Sequence, residues 1–431
     1  MTKNYLLKTE GALRLYEAVS ALPIIDFHNH ISVSDMAADK CFSSIHELWV
    51  EKDPYKHRLL RICGVSERWI TGDAPAREKF RAFCEKLPYM VGNPVYDWAR
   101  MELSAAFGID EIPSGENADY LYDRCGEMLA SAEFSNNAIL SRFHIEYQSP
   151  VASLLDELSD FKDSTVAPSL RGDNLLSPSK ELCRALSAKT GINILDTESY
   201  LAAVSRRLDE FNAAGCSFAD HALDHGFFEA DASGERRALM ICLGREYAKR
   251  GWTLLLHFDA KRQTSTRLAQ LCGPFGGYAA VGGRFPIASL CDMLADMESE
   301  GGLPDTVLFP LNMSDIPALA VMQGSFAEDG VPSKVQLGPA WWWCDHALGI
   351  ETTLNAVSSF GAISQFIGMT TDSRSPLSFV RHDYFRRILC SWLDRKNREE
   401  EWDLPFSLLC EIAQGICYQN AKSKLQRRKE K

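Results

Sequence analysis

Two histidines placed two residues apart are the first residues of this chain that could do chemistry. His28 and His30 flank Asn29 at the end of the apolar run that starts at Leu22, in the stretch LPIIDFHNHIS. On a β-strand, the side chains at positions i and i+2 point to the same face. If the run is a strand, the two imidazoles converge and supply half of a divalent metal site. The same spacing also arises by chance or in a hydrogen-bonded turn.

Further polar residues follow other apolar runs of the chain. His257 ends the fifth run, and Asp372 follows the eighth. Together with the histidine pair they would place nitrogen and oxygen ligands around one point, which suits Zn²⁺ or a similar borderline ion. Arg171 and Arg374 suit a carboxylate substrate, since a guanidinium binds a carboxylate through two parallel hydrogen bonds. Other polar residues near the ends of runs are Asp220, His221, His225, Asp259, Lys261 and Arg262.

Eight apolar runs of strand length, separated by helical patterns, would position these residues. Several of the runs lack a period-2 alternation, as expected for strands that are buried on both faces of a parallel sheet. Eight strands that alternate with helices predict a (β/α)₈ TIM barrel, in which chemistry sits at the carboxyl ends of the strands. The runs are Leu22–Phe27, Ile139–Tyr147, Thr165–Leu170, Ser217–Leu223, Trp252–Phe258, Thr306–Leu311, Lys334–Trp341 and Ile363–Met369.

The segment between the first two runs is unusually long and has helical patterns throughout. We interpret it as a large helical insertion after strand 1 that covers the mouth of the barrel; a separate helical domain is the alternative. The expected division of the chain is residues 1–33 for the N-terminal helix and strand 1, residues 34–138 for the insertion, and residues 139–431 for the remaining barrel and the C-terminal helices.

Composition and charge limit the classes of function. The chain has 431 residues, 46% of them hydrophobic and 24% charged, and a formal net charge of −12. This composition is that of an ordinary globular protein. The acidic surface argues against binding to nucleic acid or to anionic membranes, so an anionic substrate would need local arginines.

Cysteine usage and the N-terminal residues indicate the compartment. The 13 cysteines are scattered and include no CxxC pair, so we expect them to be reduced and the protein to be cytoplasmic. The N-terminal segment has an amphipathic helix pattern without the apolar core of a signal peptide, and no apolar stretch is long enough to span a membrane.

Longer motifs carry a resemblance to a known family. The stretches LPIIDFHNHIS, WITGDAPAREKF, VGNPVYDWARMEL, GCSFADHALDHG, VQLGPAWWW and FIGMTTDSRSPLSFVRHDYFRRILC follow one another along nearly the whole chain. Taken in this order, they resemble the uronate isomerase (glucuronate isomerase) family of the amidohydrolase superfamily. The last stretch, which runs from Phe366 to Cys390, is the longest and the most specific.

The resemblance implies an aldose–ketose isomerase that acts on a hexuronate and forms a homo-oligomer. It would interconvert D-glucuronate with D-fructuronate, or D-galacturonate with D-tagaturonate, by proton transfer through an enediol. The resemblance further implies that His28, His30 and Asp372 bind one divalent metal, most often zinc. Its catalytic residues would be Asp372, Tyr55 and Arg374, and its substrate-binding residues would be Arg171, Arg374, Tyr55, His257, Trp341 and Trp342.

Three departures from the family pattern lie near the expected substrate. The family usually reads Asp-His-Tyr-Lys where this chain has Asp53-Pro54-Tyr55-Lys56, so a histidine expected to contact substrate is absent. The second run ends in EYQSP (146–150) instead of an acidic pair before proline, and an asparagine-rich turn after the fifth run is replaced by KRQTST (261–266). The fold and the metal residues are therefore better supported than the identity of the substrate.

Two other functions stay open at this point. A mononuclear metal-dependent hydrolase, such as a sugar lactonase, or a uronate epimerase could use the same metal residues, with Asp372 as the base. A binding protein with an inactive site is disfavoured because the metal residues remain. A hydrolase with two metals is disfavoured because the fourth run has no lysine and the sixth has no histidine.

Overall fold

A parallel sheet of seven strands forms the centre of the computed structural model, which describes residues 4–163, 165–274, 276–299, 302–400 and 402–430. The strand order is β1-β2-β3-β4-β5-β8-β9, and the sheet curls into a half-barrel that is consistent with a TIM-like fold. A small antiparallel pair, β6 and β7, stands apart from it. The strands are β1 (Ile24–Asn29), β2 (Ile145–Ser153), β3 (Ser169–Arg171), β4 (Phe218–Leu223), β5 (Thr253–Phe258), β6 (Ala260–Lys261), β7 (Ala280–Val281), β8 (Asp305–Pro310) and β9 (Val335–Leu337).

Three strands of the sheet are buried along their whole length. Every residue of β1, β5 and β9 is buried, which explains why these runs show no period-2 alternation in the sequence. Helices pack around the sheet, and most of the connections between consecutive strands of the sheet are helical. This confirms the expected mixed α/β class.

The eighth apolar run is not a strand, so the prediction of eight strands was wrong in this place. Residues Ile363–Gln365 form a turn of 3₁₀ helix, and the following residues are extended without a regular ladder. Side chains replace the missing ladder bonds: Thr370 Oγ1 accepts from the His28 amide (2.8 Å), and Gln336 Oε1 accepts from the Ile367 amide (3.0 Å). The run therefore lies alongside β1 without becoming an eighth strand.

The predicted starts of two other runs were also too early. Residues 139–141 belong to a helix, and β2 starts only at Ile145. In the third run, only Ser169–Arg171 forms a strand. In both places short apolar helical or bridging residues precede the strand, and an apolar run alone does not distinguish them from strand residues.

Eighteen α-helices lie within the described residues, seven of them between β1 and β2. They are α1 (Glu10–Val19), α2 (Val33–Ala37), α3 (Ile45–Trp49), α4 (Pro54–Ile62), α5 (Ala76–Lys86), α6 (Pro94–Phe107), α7 (Ala118–Leu129), α8 (Asn136–Ser141), α9 (Lys180–Thr190), α10 (Thr197–Ala213), α11 (Glu235–Lys249), α12 (Thr266–Cys272), α13 (Ile287–Ser299), α14 (Ile316–Val321), α15 (Ala347–Phe360), α16 (Val380–Glu399), α17 (Phe406–Gln414) and α18 (Asn420–Glu430).

Helix α4 carries Tyr55, one of the predicted site residues, in its first turn. The Asp53 carboxylate caps the helix by accepting hydrogen bonds from the amides of Tyr55 (2.9 Å) and Lys56 (3.2 Å). Pro54 occupies the first helical position, where a missing N–H costs nothing and the fixed φ suits the helix. The sequence Asp53-Pro54-Tyr55 therefore fixes where the helix begins.

In the described part of the chain, no helix combines the length and the apolar character that crossing a bilayer requires.

Candidate functional site

A cavity of about 310 Å³ opens where the carboxyl ends of the parallel strands meet. In α/β proteins this end of the sheet is where ligands bind. Residues of β1, β4 and β5 line the cavity, together with the start of α4 and the segment that follows the eighth run. All nine residues that the sequence analysis proposes for the site line it: His28, His30, Tyr55, Arg171, His257, Trp341, Trp342, Asp372 and Arg374.

The three predicted metal ligands lie against one another. His28 Nε2 is 3.3 Å and His30 Nε2 is 3.0 Å from the same atom, Oδ1 of Asp372. One ligand atom of each side chain lies within 4.8 Å of the other two. Two imidazoles and one carboxylate form a donor set that Zn²⁺ and related ions accept.

Asp372 reaches this cluster through an unusual backbone conformation. Its φ of 48° lies in the left-handed region, so the chain from Asp372 to Arg374 does not continue as an extended strand. The turn is held from both sides, since the Asp372 amide donates to His28 O (3.1 Å) and the His30 amide donates to Ser373 O (2.7 Å). Such a conformation costs on the order of 1–3 kcal/mol, and functional sites often retain it.

Buried Asp26 joins β1 to the segment that carries Asp372. Its carboxylate accepts hydrogen bonds from the Thr371 amide (2.7 Å), from the hydroxyls of Thr370 and Thr371 (2.8 Å each) and from the Asn29 amide group (2.7 Å). His382 Nε2 lies 3.2 Å away. Burial alone raises the pKa of Asp26, but these bonds outweigh it and leave the pKa below its ordinary value. Asp26 therefore stays ionised and fixes the position of the cluster.

A second group of possible ligands shares His28. His28, Asp220 and His257 also place ligand atoms within 4.8 Å of one another. Nδ1 of His257 is 2.6 Å from Oδ1 of Asp220. Nδ1 of His28 is buried and has no hydrogen-bond partner among the described residues.

The electrostatics favour the protonation states that a metal needs at Asp372 and His30, whereas at His28 the Asp220 and Asp372 carboxylates outweigh burial and raise the pKa above its ordinary value. Burial alone raises the pKa of Asp372, but its contacts with His28 and His30 leave the pKa well below the ordinary value, so the carboxylate is ionised. Burial lowers the pKa of His30 to about 4, so its imidazole is neutral at pH 7. A neutral imidazole and an ionised carboxylate are the ligand forms that bind a metal.

The two predicted arginines differ in their partners. Arg171, at the end of β3, lies 2.8 Å from the Asp173 carboxylate and 3.5 Å from that of Asp220. Arg374 forms no hydrogen bond or ion pair with any residue in the described ranges, although it lines the cavity beside Asp372. A guanidinium without a protein partner is free to bind an anionic group of a ligand.

The hydroxyl of Tyr55 is buried and has no hydrogen-bond partner in the described part of the structure. Its ring packs edge-on against Trp98 (5.8 Å between centroids) and Trp343 (5.5 Å). The Arg381 guanidinium lies 4.9 Å from the centre of the same ring. Burial raises the pKa of Tyr55 well above its ordinary value, so the hydroxyl stays protonated and serves as a hydrogen-bond donor.

Aromatic rings form another wall of the cavity. His257 stacks on Phe309 at 4.4 Å and meets Trp341 edge-on at 4.5 Å. The indole of Trp341 is fixed by its Nε1, which donates to Phe309 O (3.0 Å). Trp342 adopts a left-handed backbone conformation with φ 46°. These rings give the cavity an aromatic wall.

Asp220 and Arg262 line the cavity, but the sequence analysis gives them no role. The signal for Asp220 is a carboxylate within a buried strand, at the register position paired with Arg171. His221, named with it, contacts the Tyr247 hydroxyl (2.8 Å) instead, and neither His221 nor His225 is among the residues that line the cavity. Pro54 does line it, in the place of the family histidine.

Comparison with known proteins gives a consistent result over the whole chain. The family model described as glucuronate isomerase matches residues 1–238 and 229–424. A curated uronate isomerase of Caldanaerobacter subterraneus subsp. tengcongensis is 35% identical, with 98% of each chain covered. A uronate isomerase of Marinomonas sp. is 36% identical at the same coverage.

Solved structures agree with the fold. The crystal structure of uronate isomerase from Thermotoga maritima has a TM-score of 0.90 at 25% identity and covers 99% of both chains. That of glucuronate isomerase from Caulobacter crescentus has a TM-score of 0.87 at 22% identity and covers 99% of this chain and 97% of its own. The strand ends that form the cavity therefore belong to a fold already known to occur in isomerases.

Proposed function

Because the chain belongs to the glucuronate isomerase family, and is therefore an isomerase, we propose that it interconverts an aldose hexuronate and its ketose. The pair is D-glucuronate and D-fructuronate, D-galacturonate and D-tagaturonate, or both. The observation that carries the proposal is the unpaired Arg374 guanidinium beside ionised Asp372 in one cavity. An anionic substrate and a proton-transfer step require these two groups.

His28, His30 and Asp372 would hold one divalent metal, with zinc as the expected ion. The donor set and the 4.8 Å spacing support this assignment. A bound ion of this kind acts as a Lewis acid that stabilises negative charge on a substrate oxygen.

The protein groups divide the proton transfer between them. Asp372 takes the proton from C2 of the aldose and returns it to C1, which requires the ionised form that its contacts maintain, while the hydroxyl proton on the C2 oxygen passes to the carbonyl oxygen on C1. The Tyr55 hydroxyl stays protonated and donates to the carbonyl oxygen. Arg374 stabilises the negative charge that develops on oxygen as the enediol forms. Arg171, His257, Trp341 and Trp342 hold the substrate between the charged and aromatic walls.

A complete (β/α)₈ barrel of the amidohydrolase type is part of the same proposal. The extended residues after Gln365 would close the barrel between β9 and β1, supported by their bonds to Gln336 and to the His28 backbone. Residues 34–138 would be a helical insertion over its mouth, with residues 1–33 and 139–431 as the other parts. Seven helices and the cavity-lining Pro54 and Tyr55 support this division.

The compartment and the assembly complete the proposal. All thirteen cysteines are unpaired, which suits a reducing cytoplasm. A homo-oligomer stays a prediction, and sedimentation of the purified protein at several concentrations would test it.

Incubation of the zinc-loaded protein with each uronate in D₂O tests the reaction. An isomerase forms the ketose, and solvent deuterium appears at the carbon that receives the proton in at least part of the product. Formation of a C-epimer without any ketose would favour the epimerase, and opening of a uronolactone without turnover of either free uronate would favour the lactonase. Either result would overturn the proposal.

A further inference from the structure

A buried group of charged side chains lies in the helical segment between β1 and β2. Lys56, in the first turn of α4, and Glu102, in α6, are each only 1% exposed. The Lys56 ammonium lies 2.8 Å from the Asp53 carboxylate and 3.5 Å from that of Glu102. Neither Lys56 nor Glu102 is among the residues that line the cavity. Charged side chains are rarely buried so completely unless they are paired, so this triad of charges calls for an explanation.

Lys56 fixes the first turn of α4 to its surroundings. Its Nζ donates to Trp49 O (2.8 Å) and to Asp53 Oδ2 (2.8 Å), and it lies 5.1 Å from the centre of the Trp49 ring. The other oxygen of Asp53, Oδ1, accepts from the Tyr55 amide (2.9 Å). Burial raises the pKa of Asp53, but nearby positive charges, above all Lys56, leave it below its ordinary value. The Lys56 ammonium therefore holds the ionised carboxylate that holds the Tyr55 backbone.

Glu102 connects this triad to the segment that follows Asp372. Its Oε1 accepts from the Ser378 hydroxyl (3.2 Å), and its Oε2 accepts from the indole nitrogen of Trp49. The Ser375 hydroxyl donates to a backbone carbonyl of α3 (2.9 Å), which gives a second bond between the same two parts of the chain. Polar contacts thus run without a break from the segment after Asp372 to the start of α4.

This connection matters because Tyr55 and Asp372 come from distant parts of the chain and must act on one substrate. The Tyr55 hydroxyl has no hydrogen-bond partner among the described residues, so only ring contacts and the placement of α4 set its position. A misplacement of about 1 Å at a reacting group can reduce a rate about 10²-fold. Contacts that fix α4 to the segment after Asp372 would therefore affect the rate without touching the substrate.

We propose that Lys56 and Glu102 are positioning residues, which align the Tyr55 hydroxyl with Asp372 by fixing the start of α4 to the segment that follows Asp372. They contact no reacting atom and act through Tyr55. The inference rests on the proposed hexuronate isomerase function.

A double-mutant cycle with Tyr55→Phe tests whether Lys56 acts through the tyrosine hydroxyl. Methionine has nearly the length of lysine without its charge. Lys56→Met should lower kcat about 10- to 100-fold for the uronate that the wild-type enzyme converts faster, with little change in KM or metal content. Tyr55→Phe should lower kcat at least as much. In the Tyr55→Phe enzyme, Lys56→Met should cause no further loss, because the hydroxyl that it misplaces is already absent.

Glu102→Gln tests the same connection with less risk to folding, because glutamine keeps the size and the hydrogen-bonding groups of the side chain. It should lower kcat about 3- to 10-fold, and this loss should also be absent in the Tyr55→Phe enzyme. Lys52→Met is the matched control, because Lys52 lies shortly before α4 and is 58% exposed. It should leave kcat unchanged.

Three results would overturn the inference. They are an equal further loss when Lys56→Met or Glu102→Gln is added to Tyr55→Phe, which would show a merely structural role, a wild-type kcat in both single variants, and an unchanged kcat in Tyr55→Phe. If Lys56→Met does not fold, the cycle with Glu102→Gln decides alone. A wild-type enzyme that converts neither uronate would instead overturn the proposed function and the inference with it.

Discussion

Two buried carboxyl groups near the cavity have opposite environments and opposite pKa shifts. On the side of the histidine cluster, which we call the inner side, Asp26 accepts hydrogen bonds through both of its carboxylate oxygens. On the side of Tyr55, which we call the outer side, Asp345 has a buried Oδ1 without a partner in the described ranges. The Arg381 guanidinium is 3.8 Å from the other oxygen of Asp345. The pKa of Asp26 is lowered by its bonds, whereas burial raises that of Asp345 to about 7.

The carboxylate of the inner side is fully hydrogen-bonded, whereas the outer side holds buried polar atoms without a partner in the described ranges. An unpaired buried polar atom costs about 1–3 kcal/mol, so a side that holds both Tyr55 Oη and Asp345 Oδ1 unpaired is less stable than it could be. The departure of Pro54 from the family pattern lies on this outer side. We therefore expect the inner side to carry the chemistry and the outer side to influence the substrate preference of this chain.

The largest effect is expected on the inner side. His28→Ala and His30→Ala should each lose the bound metal, because two ligands are too few to hold it, and activity should fall by about 10²- to 10³-fold or more. Elemental analysis of the purified variants, alongside kcat/KM, measures both. His221→Ala removes a buried histidine that is not among the cavity-lining residues and should keep its metal. Full metal occupancy in both site variants would show that the metal does not bind at His28 and His30.

Arg374→Lys tests the guanidinium that lies beside Asp372 and that we place at the reacting oxygen. Lysine keeps the charge but loses the planar fork, so kcat/KM for a uronate should fall about 10²-fold with a clear loss in kcat, while the metal content stays normal. Steady-state kinetics and metal analysis of the same preparation provide the measurement. A raised KM with an unchanged kcat would contradict a role at the reacting oxygen.

Sequence reasoning was more successful on the inner side than on the outer side. The HxH pair, His257 and Asp372 are short-range signals at the ends of apolar runs, and the fold brings all of them to one cavity. The conformation of Asp372 could not be predicted, because its left-handed φ depends on hydrogen bonds to β1 over more than 340 residues of chain.

The eighth run and Arg262 were missed for the same reason. The eighth run has strand composition, yet side chains such as Thr370 and Gln336 take the place of its ladder bonds. Arg262 sits in a polar loop, and only its contacts with Asp224 and Trp342 distinguish it from other exposed arginines. Partners that lie far apart in the chain leave no local pattern.

A third prediction is that Asp345 and Asp26 make the free energy of unfolding depend on pH in opposite directions. Because the folded pKa of Asp345 is raised to about 7, stability decreases as pH rises from about 4 to 7, where only the unfolded chain ionises freely. Asp345→Asn should therefore increase the free energy of unfolding at pH 8 by about 1–3 kcal/mol and change it little at pH 4. Denaturant unfolding at both pH values measures the difference.

Asp26→Asn is the matched comparison for that experiment. Its lowered folded pKa contributes stability above about pH 4 that is lost at lower pH, so this variant should be destabilised more at pH 8 than at pH 4. The same direction of change in both variants would show that the two sides do not differ in the way described.

The smallest effect is expected where Pro54 replaces the family histidine. Pro54 begins α4 and lines the cavity, so Pro54→His would present an imidazole from the first turn of the helix without moving the Asp53 cap. If the missing histidine once took part in proton transfer, kcat/KM for D-glucuronate or D-galacturonate should rise about tenfold, a fraction of the 10²–10⁴ that such a group contributes. Pro54→Ala separates this gain from the mere loss of the proline ring, and it should give no increase.

If the outer side has been rebuilt around Pro54 for another sugar acid, Pro54→His will not improve turnover of either uronate. A wild-type kcat already near the enzyme median of about 10 s⁻¹ would show that the histidine is dispensable.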